Sequence, residues 1–278
     1  MISRLEKAYK NGERLLIDGN SKIVCMSDCH RGIGNRGDNF LPNQNLFLAA
    51  LDYYFIRNFC YVELGDGDEL WENRSFERIR EIHEDAFNKM ARYCCRGGFY
   101  MLYGNHDCCK QKREQCTCWR VVESLVLKEC NTGHEIMLLH GHQGDWLNDR
   151  LWPLARFLVR YVWKPLELLG VPDPTSAARN NKLRRKTERR LEKFAGKKQI
   201  LVIAGHTHRP MLSVPGESFY LNSGSCVHPR CITAIELEKG NVTLVKWSVV
   251  VRCDRVLSIE RKILEGPIPW ERYWNESL

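Results

Sequence analysis

Five short apolar runs recur along the chain, and each is followed at once by polar residues. Apolar runs of about four to eight residues that end in Gly, Asp or Asn are typical of buried strands that lead into loops. We therefore predict five strands whose ends carry the polar side chains. The runs with their polar ends are KIVCMSDCH (22–30), YVELGDGDE (61–69), FYMLYGNHD (99–107), EIMLLHGH (135–142) and ILVIAGHTH (200–208).

Segments with apolar residues near helical spacing lie between these runs, at 43–58 and 74–95. Because strands alternate with helices, the pattern predicts a layered α/β architecture. The tail differs, since residues 231–251 form two apolar runs around a Lys-Gly-Asn turn, which predicts a β-hairpin added to a sheet. No internal repeat or low-complexity linker divides the sequence, so we predict a single domain over 1–278.

A helical insert is predicted at 147–198, between the fourth and fifth runs. In its first part, apolar residues fall along one helical face, which Trp152 and Trp163 widen. Its second part, 179–198, holds ten basic and two acidic residues. This part accounts for the whole formal charge of +8, because the remaining basic and acidic residues balance.

The thirteen cysteines do not indicate a disulfide scaffold. Their number is odd and the sequence starts without an apolar signal-peptide core, so we predict reduced thiols in a cytoplasmic protein. Arg156, Arg160 and Lys164 interrupt the longest apolar stretch, so no transmembrane segment is expected. Zinc binding is the alternative for one group of four thiols, although their spacing matches no common zinc pattern. That group is Cys108, Cys109, Cys116 and Cys118.

The polar residues at the five strand ends predict a metal site. Residues two apart on an extended segment point to the same side, so Asp28 with His30, and His206 with His208, each offer two ligands in one direction. The carboxyl ends of strands gather at one edge of an open α/β sheet. Oxygen and imidazole donors without thiolate suit manganese, iron or zinc, of which we favour manganese. Two such cations activate water for phosphoryl hydrolysis.

The ordered motifs Asp-x-His, Gly-Asp, Gly-Asn-His-Asp, His-Gly and Gly-His-x-His resemble those of the calcineurin-like metallophosphoesterases. The resemblance implies a sandwich of two β-sheets flanked by helices, with two divalent cations bridged by Asp66. It also implies that Arg209 is free to meet an anionic substrate. One cation would be held by Asp28, His30, Asp66 and His208. The other would be held by Asp66, Asn105, His140 and His206.

The same resemblance implies catalytic residues. We expect His106 to supply a proton or a hydrogen bond to the departing oxygen. A carboxylate partner would favour its protonated form, and Glu69 is preferred for this role, with Asp107 as the alternative. His142 would face the same way as His140 if the strand continued, but the family pattern selects His140, which precedes the glycine.

The spacing Gly-Asp-x-x-Glu-x-Trp at 65–71, with LHGHQGD and the full GHTHRP, is similar to the branch that contains UDP-2,3-diacylglucosamine pyrophosphatase. This implies a phosphorylated small-molecule or lipid-nucleotide substrate, with the insert as a lid. Peripheral membrane contact through 150–198 belongs to the same expectation, and packing of these helices on the domain core is the alternative. The candidate substrate-binding residues are Arg209, Asn222, Trp152 and Trp163.

The third motif departs from that branch, because the pyrophosphatases carry arginine where this chain has His106. Histidine is the residue of phosphodiesterases and protein phosphatases. The alternative function is therefore a phosphoprotein phosphatase or a phosphodiesterase or nuclease, whose basic insert holds a peptide or nucleic acid. Nucleic acid is the less favoured partner. A non-catalytic scaffold is disfavoured, since every ligand position is filled.

Overall fold

The computed structural model describes residues 3–112, 119–144 and 181–276. Of the predicted helical insert, only residues 181–198 fall within these ranges. The lid and the apolar helical face therefore stay predictions. Four candidates from the sequence lie outside the described residues, namely Trp152, Trp163, Cys116 and Cys118.

The described residues form two β-sheets with helices packed against them. One sheet has five strands in the order β1-β6-β7-β8-β9, and the other has seven in the order β12-β11-β10-β2-β3-β4-β5. The strands are β1 (Glu13–Ile17), β2 (Lys22–Met26), β3 (Cys60–Glu63), β4 (Phe99–Leu102), β5 (Val121–Val122), β6 (Ser124–Glu129), β7 (Glu135–Leu139), β8 (Leu201–Ala204), β9 (Tyr220–Asn222), β10 (Cys231–Glu238), β11 (Asn241–Val251) and β12 (Leu257–Pro269). The helices are α1 (Arg4–Asn11), α2 (Gln44–Ile56), α3 (Phe76–Ile82), α4 (Glu84–Cys95), α5 (Asn181–Lys198) and α6 (Arg272–Asn275).

The side chains of strand β2 pack into two different hydrophobic cores. Ile23 and Cys25 belong to the core between the sheets, whereas Val24 and Met26 belong to the core formed with α2 and α4. Because both faces of the central strands are covered, they read as continuous apolar runs rather than as alternating ones. The predicted α/β fold, two sheets flanked by helices, is confirmed.

The five predicted strands are present as β2, β3, β4, β7 and β8, and the helix predicted at 43–58 is α2. The prediction of one helix over 74–95 is wrong, because α3 and α4 are separated at His83. His83 is fully buried, with Nε2 2.8 Å from Asp38 Oδ2 and Nδ1 2.6 Å from Gln44 Oε1. These contacts with residues distant in sequence decide where the first helix ends.

The predicted C-terminal hairpin is present as β10 and β11, which pair from Cys231 with Ser248 to Glu238 with Asn241. A further strand, β12, pairs with β11 and was not predicted. Its side chains are largely exposed, so its sequence lacks the apolar run that marks the other strands. In the ranges that the structure describes, no helix is long and apolar enough to cross a membrane.

Candidate metal centre

Strands β2, β3 and β4 run parallel and bring their polar ends to one edge of the seven-stranded sheet. Backbone hydrogen bonds continue past the strands. The amide of Asp28 donates to the carbonyl of Gly65 at 3.1 Å, and the amide of His30 donates to the carbonyl of Asp66 at 2.9 Å. The first two motifs therefore lie side by side.

The fourth and fifth motifs come from β7 and β8 of the other sheet. They are joined where the amide of Gly205 donates to the carbonyl of His140 at 3.0 Å. The motifs from the two sheets meet at Asp28, whose Oδ2 accepts a hydrogen bond from the amide of His206 at 2.9 Å. The site thus lies where the ends of the two sheets converge.

Five of the candidate ligands have left-handed backbone conformations, which is uncommon for residues other than glycine. The geometry predicted for Asp-x-His and His-x-His, two ligands on an extended segment, is therefore wrong. The side chains are directed by left-handed residues past the strand ends, and each such residue costs on the order of 1–3 kcal/mol that the surrounding packing must offset. The φ angles are 54° at Asp28, 48° at His30, 49° at Asp66, 66° at His206 and 55° at His208.

Two glycines of the motifs are required by close packing around the carboxylates. A Cβ atom at Gly104 would lie 2.1 Å from Asp66 Oδ1, and one at Gly205 would lie 2.6 Å from Asp28 Oδ2. Any side chain at these positions would displace a candidate ligand. The glycines of Gly-Asn-His-Asp and Gly-His-x-His thus let the backbone approach the site.

The first cluster of candidate ligands comprises Asp28, His30 and His208. One ligand atom from each lies within 4.8 Å of the others. Nε2 of His208 is 3.0 Å from Asp28 Oδ1, and Nε2 of His30 is 3.8 Å from the same oxygen. This set matches three of the four residues predicted for the first cation, and the fourth, Asp66, lies in the second cluster.

The second cluster comprises Asp66, His140 and His206, again with ligand atoms within 4.8 Å. Nε2 of His140 is 3.0 Å from Asp66 Oδ2, while its Nδ1 lies 2.9 Å from the carbonyl oxygen of Leu64. Because Nδ1 makes that contact, Nε2 is the ring nitrogen of His140 that can bind a cation. Asn105 lies next to this cluster. The amide of the following residue, His106, donates a hydrogen bond to Asp66 Oδ1 at 2.8 Å.

Buried polar atoms that lack hydrogen bonds indicate whether divalent cations fit this site. Among the described residues, Asp28 Oδ1, Asn105 Oδ1 and His140 Nε2 are buried and have no hydrogen-bond partner. The 3.0 Å approaches of His208 to Asp28 and of His140 to Asp66 do not meet hydrogen-bond geometry. Such atoms are costly to bury unless something compensates them. Divalent cations held here would satisfy all three, and the carboxylate, amide and imidazole donors suit manganese, iron or zinc.

The electrostatics of the site favour positive charge. Burial raises the pKa of Asp66, but His140 and His106 outweigh this and hold the pKa well below its usual range. Burial lowers the pKa of His140, yet the Asp66 carboxylate raises it to about 9. Because the carboxylates stabilise protons on the imidazoles, protons and divalent cations compete for the same nitrogen atoms.

Glu69 connects His106 to the candidate ligand His30. Its Oε1 lies 2.8 Å from Nδ1 of His106, and its Oε2 lies 2.8 Å from Nδ1 of His30. These three residues also form a third group that could hold a cation. The two short contacts assign Glu69 to hydrogen bonding with both rings. Of the two carboxylates considered from sequence, it is Glu69 that the structure places against His106.

Trp71, the last residue of the GDGDELW motif, stacks on His106 with ring centroids 4.2 Å apart and planes at 22°. The ring of His106 is therefore fixed on one face by an indole and at Nδ1 by a carboxylate. The sequence singled out Trp71 only as part of a motif. Its contact with His106 is seen only in the folded structure.

Asp107 does not face His106, so its role as an alternative catalytic partner is not supported. It is fully buried, and its carboxylate accepts hydrogen bonds from the amides of Gly104 at 2.7 Å and Gly67 at 3.1 Å. Lys110 Nζ lies 2.8 Å from Asp107 Oδ2. Asp107 therefore holds the second and third motif loops together beneath the site.

Sequence reasoning missed a buried ion network next to these loops. Arg31 is fully buried, with two guanidinium nitrogens 2.7 and 2.9 Å from the oxygens of Glu63 and a third 2.6 Å from Asp68. Lys110 also lies 2.5 Å from Asp68. Breaking a buried pair by removing one partner is strongly destabilising. A charged residue inside an apolar run, such as Glu63, was the signal that could have indicated this network.

Arg209 is about half exposed, and its contact with substrate stays a prediction. Its nearest carboxylate is Glu188 of helix α5, at 3.5 Å. Glu188 also accepts a hydrogen bond from Thr207 Oγ1 at 3.1 Å. Since Thr207 lies between two candidate ligands, helix α5 is attached directly beside the metal centre.

Asn222 is fully buried, and its amide group is used within the protein. Its Nδ2 lies 2.7 Å from the carbonyl oxygen of Gly205 and 2.9 Å from Tyr220 Oη, and its Oδ1 accepts from the amide of Gly224 at 2.8 Å. These bonds oppose the prediction that Asn222 contacts substrate. They give it a structural role under the last motif.

His142 is also buried, at the start of a 3₁₀ turn, and its ring centroid is 5.5 Å from that of His140. It belongs to none of the ligand clusters found among the described residues. The strand ends at Leu139, so the condition under which His142 would share the orientation of His140 is not met. Of the thiol group, the structure describes Cys108 and Cys109, both of which are partly buried.

The two-sheet fold and the paired ligand clusters at its strand ends define a protein of the metallophosphoesterase class. Residues 22–237 match the calcineurin-like phosphoesterase superfamily domain, and the chain belongs to that superfamily. Comparison with curated proteins finds no match.

Among solved structures, the chain is similar to Vacuolar Protein Sorting 29 from Cryptosporidium parvum, with 14% identity and a TM-score of 0.43 over 88% of this chain and 98% of that one. It is also similar to Vps29 from Chaetomium thermophilum, with 11% identity and a TM-score of 0.41 over 88% and 96% of the two chains. Likenesses as distant as these carry no information on activity.

Proposed function

We propose that this protein hydrolyses a phosphate ester or pyrophosphate bond with the help of two divalent cations. The observation that carries the proposal is the pair of ligand clusters where the two sheets converge. Superfamily membership supports it. When bound, two such cations make a nucleophile from water and neutralise charge on the phosphoryl group. The proposed ligands are Asp28, His30, Asp66 and His208 for one cation, and Asp66, Asn105, His140 and His206 for the other, with manganese favoured over iron or zinc.

His106 is proposed to donate a proton, or a hydrogen bond, to the departing oxygen. Glu69 accepts at Nδ1, so Nε2 is the nitrogen that can serve the substrate. Stacking on Trp71 fixes the plane of the ring. A donor held in this way loses little freedom in the transition state, and a positioned acid contributes about 10²- to 10⁴-fold to rate.

The proposed substrate is a nucleotide-linked or lipid-linked pyrophosphate, as in the UDP-2,3-diacylglucosamine pyrophosphatases. Support comes from the Gly-Asp-x-x-Glu-x-Trp motif, because Glu69 and Trp71 both contact His106. Trp152 and Trp163 of the insert remain the proposed apolar contacts. Peripheral contact of 150–198 with a membrane belongs to this proposal.

Helix α5 is proposed to bind the anionic part of the substrate. One of its faces borders a groove of about 770 Å³. The helix is held beside the last motif through Glu188, and the carbonyl of Gly144 accepts from Arg190 at 2.9 Å. A cluster of like charges at the edge of a site raises the local concentration of anions. The described residues lining the groove are Asn181, Lys182, Arg185, Lys186, Arg189, Arg190 and Lys193.

The second candidate function is a phosphodiesterase or phosphoprotein phosphatase. It is favoured by His106, which occupies the position where the pyrophosphatases carry arginine. In this case the basic face of α5 would bind a phosphopeptide or the backbone of a nucleic acid. Binding of nucleic acid through phosphates would weaken steeply with salt.

The test is a manganese-supplemented screen of acylated and unacylated nucleotide diphosphate conjugates, phosphodiesters, phosphomonoesters and phosphopeptides. We expect cleavage of at least one class, loss of activity with chelator, and loss in Asp66→Ala. Asp254→Ala, at an exposed carboxylate in the β11–β12 loop, is the matched control. Metal-replete protein that cleaves none of these classes would contradict the proposed function.

Charge reversal on α5 tests the substrate proposal separately. We expect the double variant Arg185→Glu, Arg189→Glu to raise KM for the anionic conjugates while leaving a small chromogenic diester nearly unaffected. Lys197→Glu, at the far end of the same helix and outside the groove, controls for helix charge. If all conjugates keep their KM, the basic face does not bind substrate.

A further inference from the structure

Strand β12 forms the outer edge of the seven-stranded sheet, and in the described part of the chain it pairs only with β11. It spans 13 residues, and most of its side chains are exposed. A long exposed edge presents a row of backbone donors and acceptors that favours pairing with another strand. The surface of β12 therefore fits a partner that adds a strand.

One face of the β11–β12 ribbon carries apolar side chains on both sides of Arg261. Ile259 lies opposite Val249, and Ile263 lies opposite Val245. Ile259 and Ile263 are 37% and 45% exposed, and Val249 is 48% exposed. Burying such side chains yields roughly 25 cal/mol for each Å² removed from water. These apolar side chains, here called the apolar strip, flank Arg261 and extend to the edge strand.

The other face of β12 carries complementary charges on neighbouring positions. Glu260 and Lys262 are exposed, and neither forms an ion pair with any described residue. Lys262 lies directly opposite Lys246 of β11. Like charges in directly opposite positions are destabilising, so an acidic group on the outer side of Lys262 would relieve this contact.

We propose that a second copy of this chain pairs antiparallel with β12 about a two-fold axis at Arg261. This register places Glu260 of each copy opposite Lys262 of the other, and Ile259 opposite Ile263. A shift of two residues would set Glu260 against Glu260, or Lys262 against Lys262. A shift of one would bring the apolar strip against the charged face. Charge and apolarity therefore select one register.

Arg261 would meet its own counterpart at the centre of this interface. Its charge is already compensated, because its Nε lies 2.7 Å from Glu236 Oε1 and its Nη2 contacts Glu236 Oε2. The pairing is isologous, so it closes after two copies, and it covers residues 257–265 of each β12 edge. This proposal is independent of the proposed enzymatic function.

The test is the solution mass of the full chain, measured by sedimentation or light scattering over a wide range of concentration. We expect the wild type to approach twice its 32.5 kDa mass as concentration rises. Glu260→Lys and Lys262→Glu should each stay monomeric, because each sets like charges opposite one another twice. An equimolar mixture of the two variants should dimerise, and so should the double variant, since both restore opposite charges.

Glu81→Lys, at an exposed position on α3, is the control for charge reversal and should dimerise like the wild type. Circular dichroism and thermal melting establish that each variant is folded. A wild type that stays monomeric at every concentration overturns the proposal. A dimer that survives either single reversal, or single variants that fail to associate when mixed, also overturns it.

Discussion

Glu69 lies between His30 and His106, with one carboxylate oxygen 2.8 Å from Nδ1 of each ring. One side chain therefore orients both a proposed metal ligand and the proposed proton donor. Carboxylates that accept from ligand histidines fix the ring and its tautomer. The same residue therefore connects a proposed metal ligand with the proposed proton donor.

Replacing Glu69 with Gln should lower kcat/KM by about 10- to 100-fold, because the amide offers only one accepting oxygen for two rings. The measurement is steady-state hydrolysis together with metal content. Glu81→Gln, an exposed glutamate on α3, should behave as the wild type. Unchanged turnover in the Glu69 variant would remove its positioning role.

Replacing His106 with Ala should slow hydrolysis by about 10²- to 10⁴-fold for substrates with alkoxide leaving groups. The loss should be much smaller for a nitrophenolate, which departs without protonation. The measurement is kcat/KM over a series of leaving groups. His134→Ala, at a ring that stacks on Trp274, is the control. A loss of equal size for all leaving groups would argue for a binding role instead.

Gly104→Ala should abolish tight metal binding, because the added methyl would lie 2.1 Å from Asp66 Oδ1 and displace the proposed bridging carboxylate. Titration calorimetry with manganese and the metal-dependent rise in melting temperature measure this effect. Gly19→Ala is the matched control, since a Cβ there meets nothing within 4 Å. Normal metal affinity in Gly104→Ala would contradict the placement of Asp66.

The pair Asp38 and His83 should make stability depend on acid pH. Burial raises the pKa of Asp38, but hydrogen bonds from His83 and the amide of Gly34 lower it, and the net pKa lies below the ordinary 3.8. A carboxyl whose pKa is depressed in the folded state stabilises the protein above the unfolded pKa. That contribution is lost as pH falls through the folded value.

Asp38→Asn should therefore unfold at lower denaturant concentration than the wild type near neutral pH. The difference between the two should shrink as pH falls below about 4. Denaturant unfolding in the presence of chelator measures this without a contribution from metal binding. A difference that stays constant with pH would show that Asp38 acts through packing alone.

Much of the fold could be predicted because buried segments have a recognisable pattern of apolar residues in the sequence. Strands covered on both faces, such as β2 and β8, must be apolar throughout, and their ends must be polar. The exposed strand β12 lacks this apolar pattern. The break at His83 depends on Asp38 and Gln44, about forty residues earlier in the chain, and local periodicity does not detect such contacts.

The sequence by itself determined which side chains could form the site, because ligand chemistry is a property of residue type and motif order. It also determined that short apolar strands would precede them. Only the tertiary structure decided how the ligands are aimed, through left-handed turns at residues such as His206. It also decided that Glu69 rather than Asp107 faces His106. The physical reason is that hydrogen bonds and close packing between distant segments set these orientations, and residue spacing along one segment does not encode them.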